Sequence, residues 1–216
     1  MILQTPDLMG DMTQRRNGGF TYLMQFVDGN RIDLTLIPFD HVADMTEDSL
    51  SVLLMDKDDF FDPFPPPNEA SYLPKPPTRK DFQDCCNEFW WLVPYVVKGL
   101  GRGDILYAKH FIDGGLRNQL MIMLTWVFGI RTDFKCNPGK VGKYFNEVLA
   151  PERWSRLLAT YTGADPSDIW EGLLIMCILF RECALELAGV YGFDYPNQED
   201  ASVTRYMMDL SDRLQL

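Results

Sequence analysis

The run FTYLMQFVDGNRIDLTLI, residues 20–37, decides how this chain begins to fold. Two segments of alternating apolar and polar residues flank the turn Asp28-Gly29-Asn30, and Asp-Gly between alternating segments is a hairpin signal. Side chains of an extended strand alternate between faces, so Ile32, Leu34 and Leu36 point one way while Arg31, Asp33 and Thr35 point the other. Aspartate is depleted inside strands, because a sheet tolerates a carboxylate only where the face is solvated or the group binds something. On the pattern alone, Asp33 is read either as part of a solvated edge face or as a ligand-holding carboxylate.

Outward from the hairpin, an apolar start at Ile2-Leu3 predicts one more strand, with a polar loop over 7–19 between them. A sheet this small is stable only when helices or further strands cover it. Over 40–54, Val42, Met45, Leu50, Leu53 and Leu54 fit one or two short helices, with Thr46 as N-cap before Glu47 and Asp48. The stretch FFDPFPPPNEASYLPKPP, residues 60–77, holds seven of the chain's 14 prolines, and proline fixes φ and removes a backbone donor. It is expected to carry no regular element and to act as a stiff strap between a first part, 1–59, and a second, 78–216.

After Thr78 the signal is helical. Thr78 and Asp81 have the spacing of a capping pair, and Phe82, Cys85, Cys86, Phe89, Trp90, Val93 and Val97 follow at helical spacing, with Pro94 expected to kink the helix. Further helical stretches are predicted over 105–111 and 116–128, interrupted near Gly114-Gly115, then over 141–149 and 151–161. Asp165-Pro166 supplies an N-cap and first helical residue, an apolar run follows to Val190, and Gly192 stands where a glycine would end the helix. A last helix is predicted over 201–214. A β-rich piece joined to a helical bundle makes the expected fold class α+β.

Composition narrows the function. At 216 residues, with 46% hydrophobic and 24% charged residues, the chain reads as globular rather than disordered. A net charge of −11 argues against nucleic-acid binding, which needs a basic stripe for phosphates; it reads first as a charge that keeps the chain soluble, and alternatively as one that draws a cationic small molecule. The five cysteines show no CxxC spacing and read as reduced thiols, and two histidines cannot build a histidine-rich metal site, so a metal would be held by oxygens. With no charged-then-apolar leader and no bilayer-length apolar run, the chain is expected to be soluble and cytoplasmic, without a membrane partner.

Three motifs invite chemistry. NPGKVGKY, residues 137–144, misses the phosphate-loop template in its glycine spacing and in Tyr144 after Lys143, yet Lys140 and Lys143 before a helix could meet an anion. In NEFWW, residues 87–91, Glu88 and Trp91 are three apart on one helical face, where a carboxylate beside an indole can hold a cation or act as a base. DKDD, residues 56–59, lacks the twelve-residue calcium loop and reads as a charged turn.

Taken in order, LMQFVDGNRIDLTLIP, LLMDKD, CCNEFWW, VVKGLGRGDILYAK, NPGKVGKYF and DIWEGLLIMCILFRE resemble the aminoglycoside 6-adenylyltransferases that inactivate streptomycin, nearly end to end. The resemblance implies a nucleotidyltransferase domain with a mixed sheet, here partial, followed by a helical substrate-binding domain. It implies transfer of AMP from ATP to the 6-hydroxyl of streptomycin with Mg²⁺. Asp33 matches the family's third metal-binding carboxylate. The family's Gly-Ser turn and Asp-x-Asp pair fall upstream of the position matching Met1, so the chain is expected to be an N-terminally shortened, catalytically incomplete member. Within it, residue chemistry assigns metal binding to Asp33, an acid or base role facing the drug to Glu88, a cleft wall to Trp91, and triphosphate contacts to Lys140 and Lys143. The competing expectation is a remnant or binding module without transfer.

Overall fold

The computed structural model describes residues 2–4, 19–45 and 48–214; the loop expected over 7–19, save Gly19, and the capping residues Thr46 and Glu47 lie outside them. The chain divides into two compact units, 1–71 and 72–216.

In the first unit, strands β1 (Ile2–Gln4), β2 (Phe20–Gln25) and β3 (Arg31–Leu36) form an antiparallel sheet in the order β1-β2-β3. The hairpin closes as its sequence predicts: Gly29 sits at φ 88°, a region that costs glycine nothing, and Phe26 N donates to Asn30 O at 2.8 Å. The register pairs Phe20 with Leu36, Tyr22 with Leu34 and Met24 with Ile32 on one face, and Thr21 with Thr35 and Leu23 with Asp33 on the other. The apolar face is not closed off, since Ile32, Leu34 and Leu36 are each about half exposed. Of the helices expected over 40–54, a 3₁₀ turn at Phe39–Met45 forms.

The proline-rich stretch departs from expectation in one place. A 3₁₀ turn forms at Ala70–Tyr72, in the proline-free gap between Pro67 and Pro74, started by Asn68 Oδ1 accepting from Ala70 N at 2.9 Å. Residues 60–71 belong to the first unit. They are held by an edge-to-face chain of Phe39, Phe60, Phe61 and Phe64, and by Ser49, which bonds Asn68 and Ser71. Prolines leave few backbone donors, so side chains provide most of the attachment, with one backbone bond from Asn68 N to Ser49 O at 2.8 Å.

The second unit is all helix. Helix α1 (Arg79–Gly101) starts at the predicted capping box, with Thr78 and Asp81 exchanging bonds, and continues through Pro94. Its buried stripe includes Phe82, Cys86, Phe89, Trp90, Val93 and Val97. Helix α2 (Ile105–His110) runs through a π-helical turn, Phe111–Leu116, straight into α3 (Arg117–Arg131). The interruption expected at Gly114-Gly115 is thus absorbed as a wide turn rather than a break. There Leu92 lies so close that a Cβ on Gly115 would meet it at 2.6 Å, so the glycine serves packing, not chain reversal.

Where a helix was expected over 141–149, the structure has a 3₁₀ turn at Lys140–Gly142 and one helical turn, α4 (Phe145–Val148), because Gly139, Val141 and Gly142 all take positive φ. Helix α5 (Pro151–Ala159) follows. Helix α6 (Pro166–Tyr191) begins on the Asp165 cap and ends on Gly192 at φ 65°, both as the sequence predicts. Helix α7 (Asn197–Leu214) starts four residues earlier than predicted. Helix α6 is the spine of the core: Phe180 stacks on Phe89 with ring centroids 3.7 Å apart, and Trp90 meets Phe180 edge-on.

Candidate functional site

The outer face of α1 carries the groups that sequence reasoning singled out, with a groove on either side. The first groove, about 700 Å³, lies between α1 and the segment that leads into α7; Trp90, Trp91, Asp194, Tyr195 and Glu199 line it. The second, about 510 Å³, lies between α1 and α3, with Asp81, Asp84, Glu88, Gln119 and Trp126 around it. Asn87 borders both. Glu88 and Trp91, expected side by side, border different grooves: three residues leave them a net of about 60° apart on the helix, enough to flank a ridge with a neighbour on each side. Each groove still joins carboxylates to an indole wall.

Glu88 is exposed and has no hydrogen-bond or ion-pair partner among the described residues, whereas Asp84 pairs with Lys80 and Asp81 caps its own helix. Trp91 is 64% exposed, an unusual position for an indole that leaves a flat aromatic face open on the groove wall. Glu199, on the first turn of α7, also lacks a partner among the described residues, while Asp194 is tied to Arg79 at 2.9 Å.

Beneath the first groove lies a hydrogen-bonded cluster that the sequence did not reveal. Arg181 grips Asp200 through Nε and Nη2, both at 2.5 Å, Tyr195 donates its hydroxyl to Asp200 at 2.6 Å, and Thr204 donates to the second oxygen at 3.0 Å. Burial pushes the Asp200 carboxyl up, but these donors outweigh it and hold it below its ordinary value of 3.8. Burial, followed by the bond to Asp200, raises the Tyr195 hydroxyl well above the normal phenol range. The residues 197–200 read as loop because Asn-Gln-Glu-Asp is polar throughout; Pro196 just before them was the available signal for a helix start.

Asp33 sits in the other unit. It lies exposed on edge strand β3, with its oxygens engaged by Arg31 at 2.7 and 3.0 Å, and that guanidinium holds its carboxyl below the usual value. Among the described residues no group of three metal-ligating side chains gathers, so these residues do not by themselves fit a magnesium centre. Lys140 and Lys143 are exposed on the positive-φ loop, with Lys143 Nζ 5.0 Å from the Tyr144 ring, and line neither groove. Because the helix behind them is a single turn, it provides no extended dipole for an anion.

A three-stranded antiparallel sheet in one unit and a helical bundle in the other make this an α+β protein of nucleotidyltransferase-like fold. Residues 1–210 match the family described as streptomycin adenylyltransferase, and the chain belongs to that family. An aminoglycoside 6-adenylyltransferase of Campylobacter jejuni is 37% identical over 209 residues, 96% of this chain and 72% of that protein. Those of Bacillus subtilis and Staphylococcus aureus are 33% and 32% identical, over 73% and 71% of their lengths. The crystal structure of an aminoglycoside 6-adenyltransferase from Bacillus subtilis is similar with a TM-score of 0.58 at 32% identity, covering 97% of this chain and 78% of that one. Among the described residues no helix is long and apolar enough to cross a membrane.

Proposed function

We propose that this protein transfers AMP from ATP to the 6-hydroxyl of streptomycin, the nucleotide entering as its Mg²⁺ complex. The family match across residues 1–210 carries the reading, and the acidic, indole-walled face of α1 supports it, because streptomycin is a polycation. In this reading Glu88 faces the drug, either taking the proton of the attacking hydroxyl or pairing with a guanidinium group. As a base it would accept the hydroxyl proton while the oxygen bonds to the α-phosphorus and the bond to pyrophosphate breaks. Trp91 would offer its open face to the drug, Lys140 and Lys143 would reach the triphosphate, and Asp33 would contribute one carboxylate toward Mg²⁺.

A second reading, drug or nucleotide binding without transfer, is favoured by the engagement of Asp33 with Arg31. Mass spectrometry of streptomycin incubated with the protein, ATP and Mg²⁺ separates the two. The first predicts a gain of one adenylyl group, lowered roughly 10²–10⁴-fold in rate by Glu88→Gln if Glu88 is the base. Unmodified drug together with measurable drug binding would establish the second.

A further inference from the structure

The groove between α1 and the segment 194–203 joins Trp91, given above to the drug, to groups that no role above uses. Trp91 is solvent-exposed along its wall, although burying an indole is among the more favourable contributions a helix can make. Trp90 lies behind it at 2% exposure, its indole nitrogen beside the Tyr195 hydroxyl. Glu199 faces the same space without an ion-pair partner among the described residues, in the first turn of an 18-residue helix. Asp194 adds a second carboxylate, one oxygen of which is on Arg79.

The walls are also built to stay in place. Asp200 lies one residue from Glu199 but points to Arg181 on α6, and Tyr195 and Thr204 help to fix it there. The same carboxylate therefore anchors the first turn of α7, which presents Glu199, and the Tyr195 ring, which forms part of the groove lining. A groove whose wall backbone and Tyr195 ring are held before the ligand arrives has less ordering left to do on binding. Its volume, about 700 Å³, lies in the range of small-molecule sites.

We propose that this groove is the cation subsite for the aminoglycoside, taking one guanidinium-bearing ring face-on against Trp91 with its charge on Glu199. The proposal rests on the aminoglycoside reading above and adds where on the chain the drug is gripped. A planar guanidinium suits both partners: it stacks on an indole and meets a carboxylate with paired N–H donors. Glu199 sets the sign of the field in the groove, since Asp194 is paired with Arg79, and the Asp200 cluster makes Arg181, Tyr195 and Thr204 positioning residues for Glu199.

Titration calorimetry of streptomycin into the full chain, with a non-hydrolysable ATP analogue and Mg²⁺ present, tests this. Glu199→Gln and Trp91→Ala are each expected to weaken drug binding about tenfold, the size of one cation–π or charge contact at a partly desolvated site. Their melting curves should stay near wild type because both side chains are exposed, and Trp91→Phe should recover part of the affinity. In turnover, the same variants should raise KM for the drug with little change in kcat. Binding by wild type that neither variant alters would overturn the groove assignment while leaving the aminoglycoside reading intact. A wild-type protein that does not bind streptomycin at all would overturn both.

Discussion

At the residue scale, Arg31 takes both oxygens of Asp33, at 2.7 and 3.0 Å. The carboxylate is legible in the sequence as an anomaly inside a strand, and its partner follows from the period of two, which puts both side chains on one face. Because Asp33 is exposed, Asp33→Asn should leave the melting temperature nearly unchanged and, if the carboxylate serves transfer, abolish adenylylation. Undiminished turnover would remove it from the mechanism. The cysteines follow the expectation of reduced thiols: all five are free, four of them buried, with Cys86, Cys177 and Cys183 pushed up to about 12 and Cys85 higher still by burial. Only exposed Cys136 should react with a thiol reagent at pH 8 in the native protein, and all five after denaturation. Rapid labelling of several thiols without denaturant would show that the core opens.

At the element scale, caps were more legible than interiors. The Thr78–Asp81 box, the Asp165-Pro166 start and the Gly192 stop each rest on local backbone needs, so a few residues suffice to announce them. The π-helical turn at 111–116 could not be read this way, because Gly114-Gly115 looks like a break until Leu92 is seen pressed against it. The start of α7 was hidden for a related reason: Asp200 looks solvated until Arg181, 19 residues earlier, is placed beside it. Breaking that buried pair by Asp200→Asn should cost about 3 kcal/mol, since Arg181 loses its counter-charge. A folded pKa below the unfolded value gives a stabilisation present above the unfolded value near 3.9 and lost as pH falls through the folded one. The gap between wild type and variant in thermal melts should thus be full at pH 7 and shrink below about pH 4. A gap independent of pH would mean that shape, not charge, is what Asp200 contributes.

At the scale of the whole molecule, net charge and groove chemistry combine. With a formal charge of −11, a polycationic ligand is attracted from beyond contact range, and salt screens that attraction with a length of about 8 Å at physiological strength. Streptomycin affinity should therefore fall steadily as NaCl rises, by slower association more than by faster release, in stopped-flow measurements. An affinity indifferent to salt would argue that apolar contact dominates. The two units also differ in how they are stabilised. The core cluster, from Phe82 to Met207, lies wholly in the second, while the first leaves Ile2, Phe20 and Ile32 about half exposed or more.

The sequence by itself determined the α+β class, the hairpin, the principal caps, the acidic character and, through six ordered strings, the family. These depend on periodicity, local backbone geometry and composition, which neighbours along the chain already carry. Only the tertiary structure decided that Glu88 and Trp91 turn to different grooves, that the double glycine continues a helix, and that Arg181, Tyr195 and Asp200 meet under Glu199. Each of those depends on which helix packs beside which. That choice is made by burying apolar faces, and the polar groups carried along on the same helices find their partners only once it has been made.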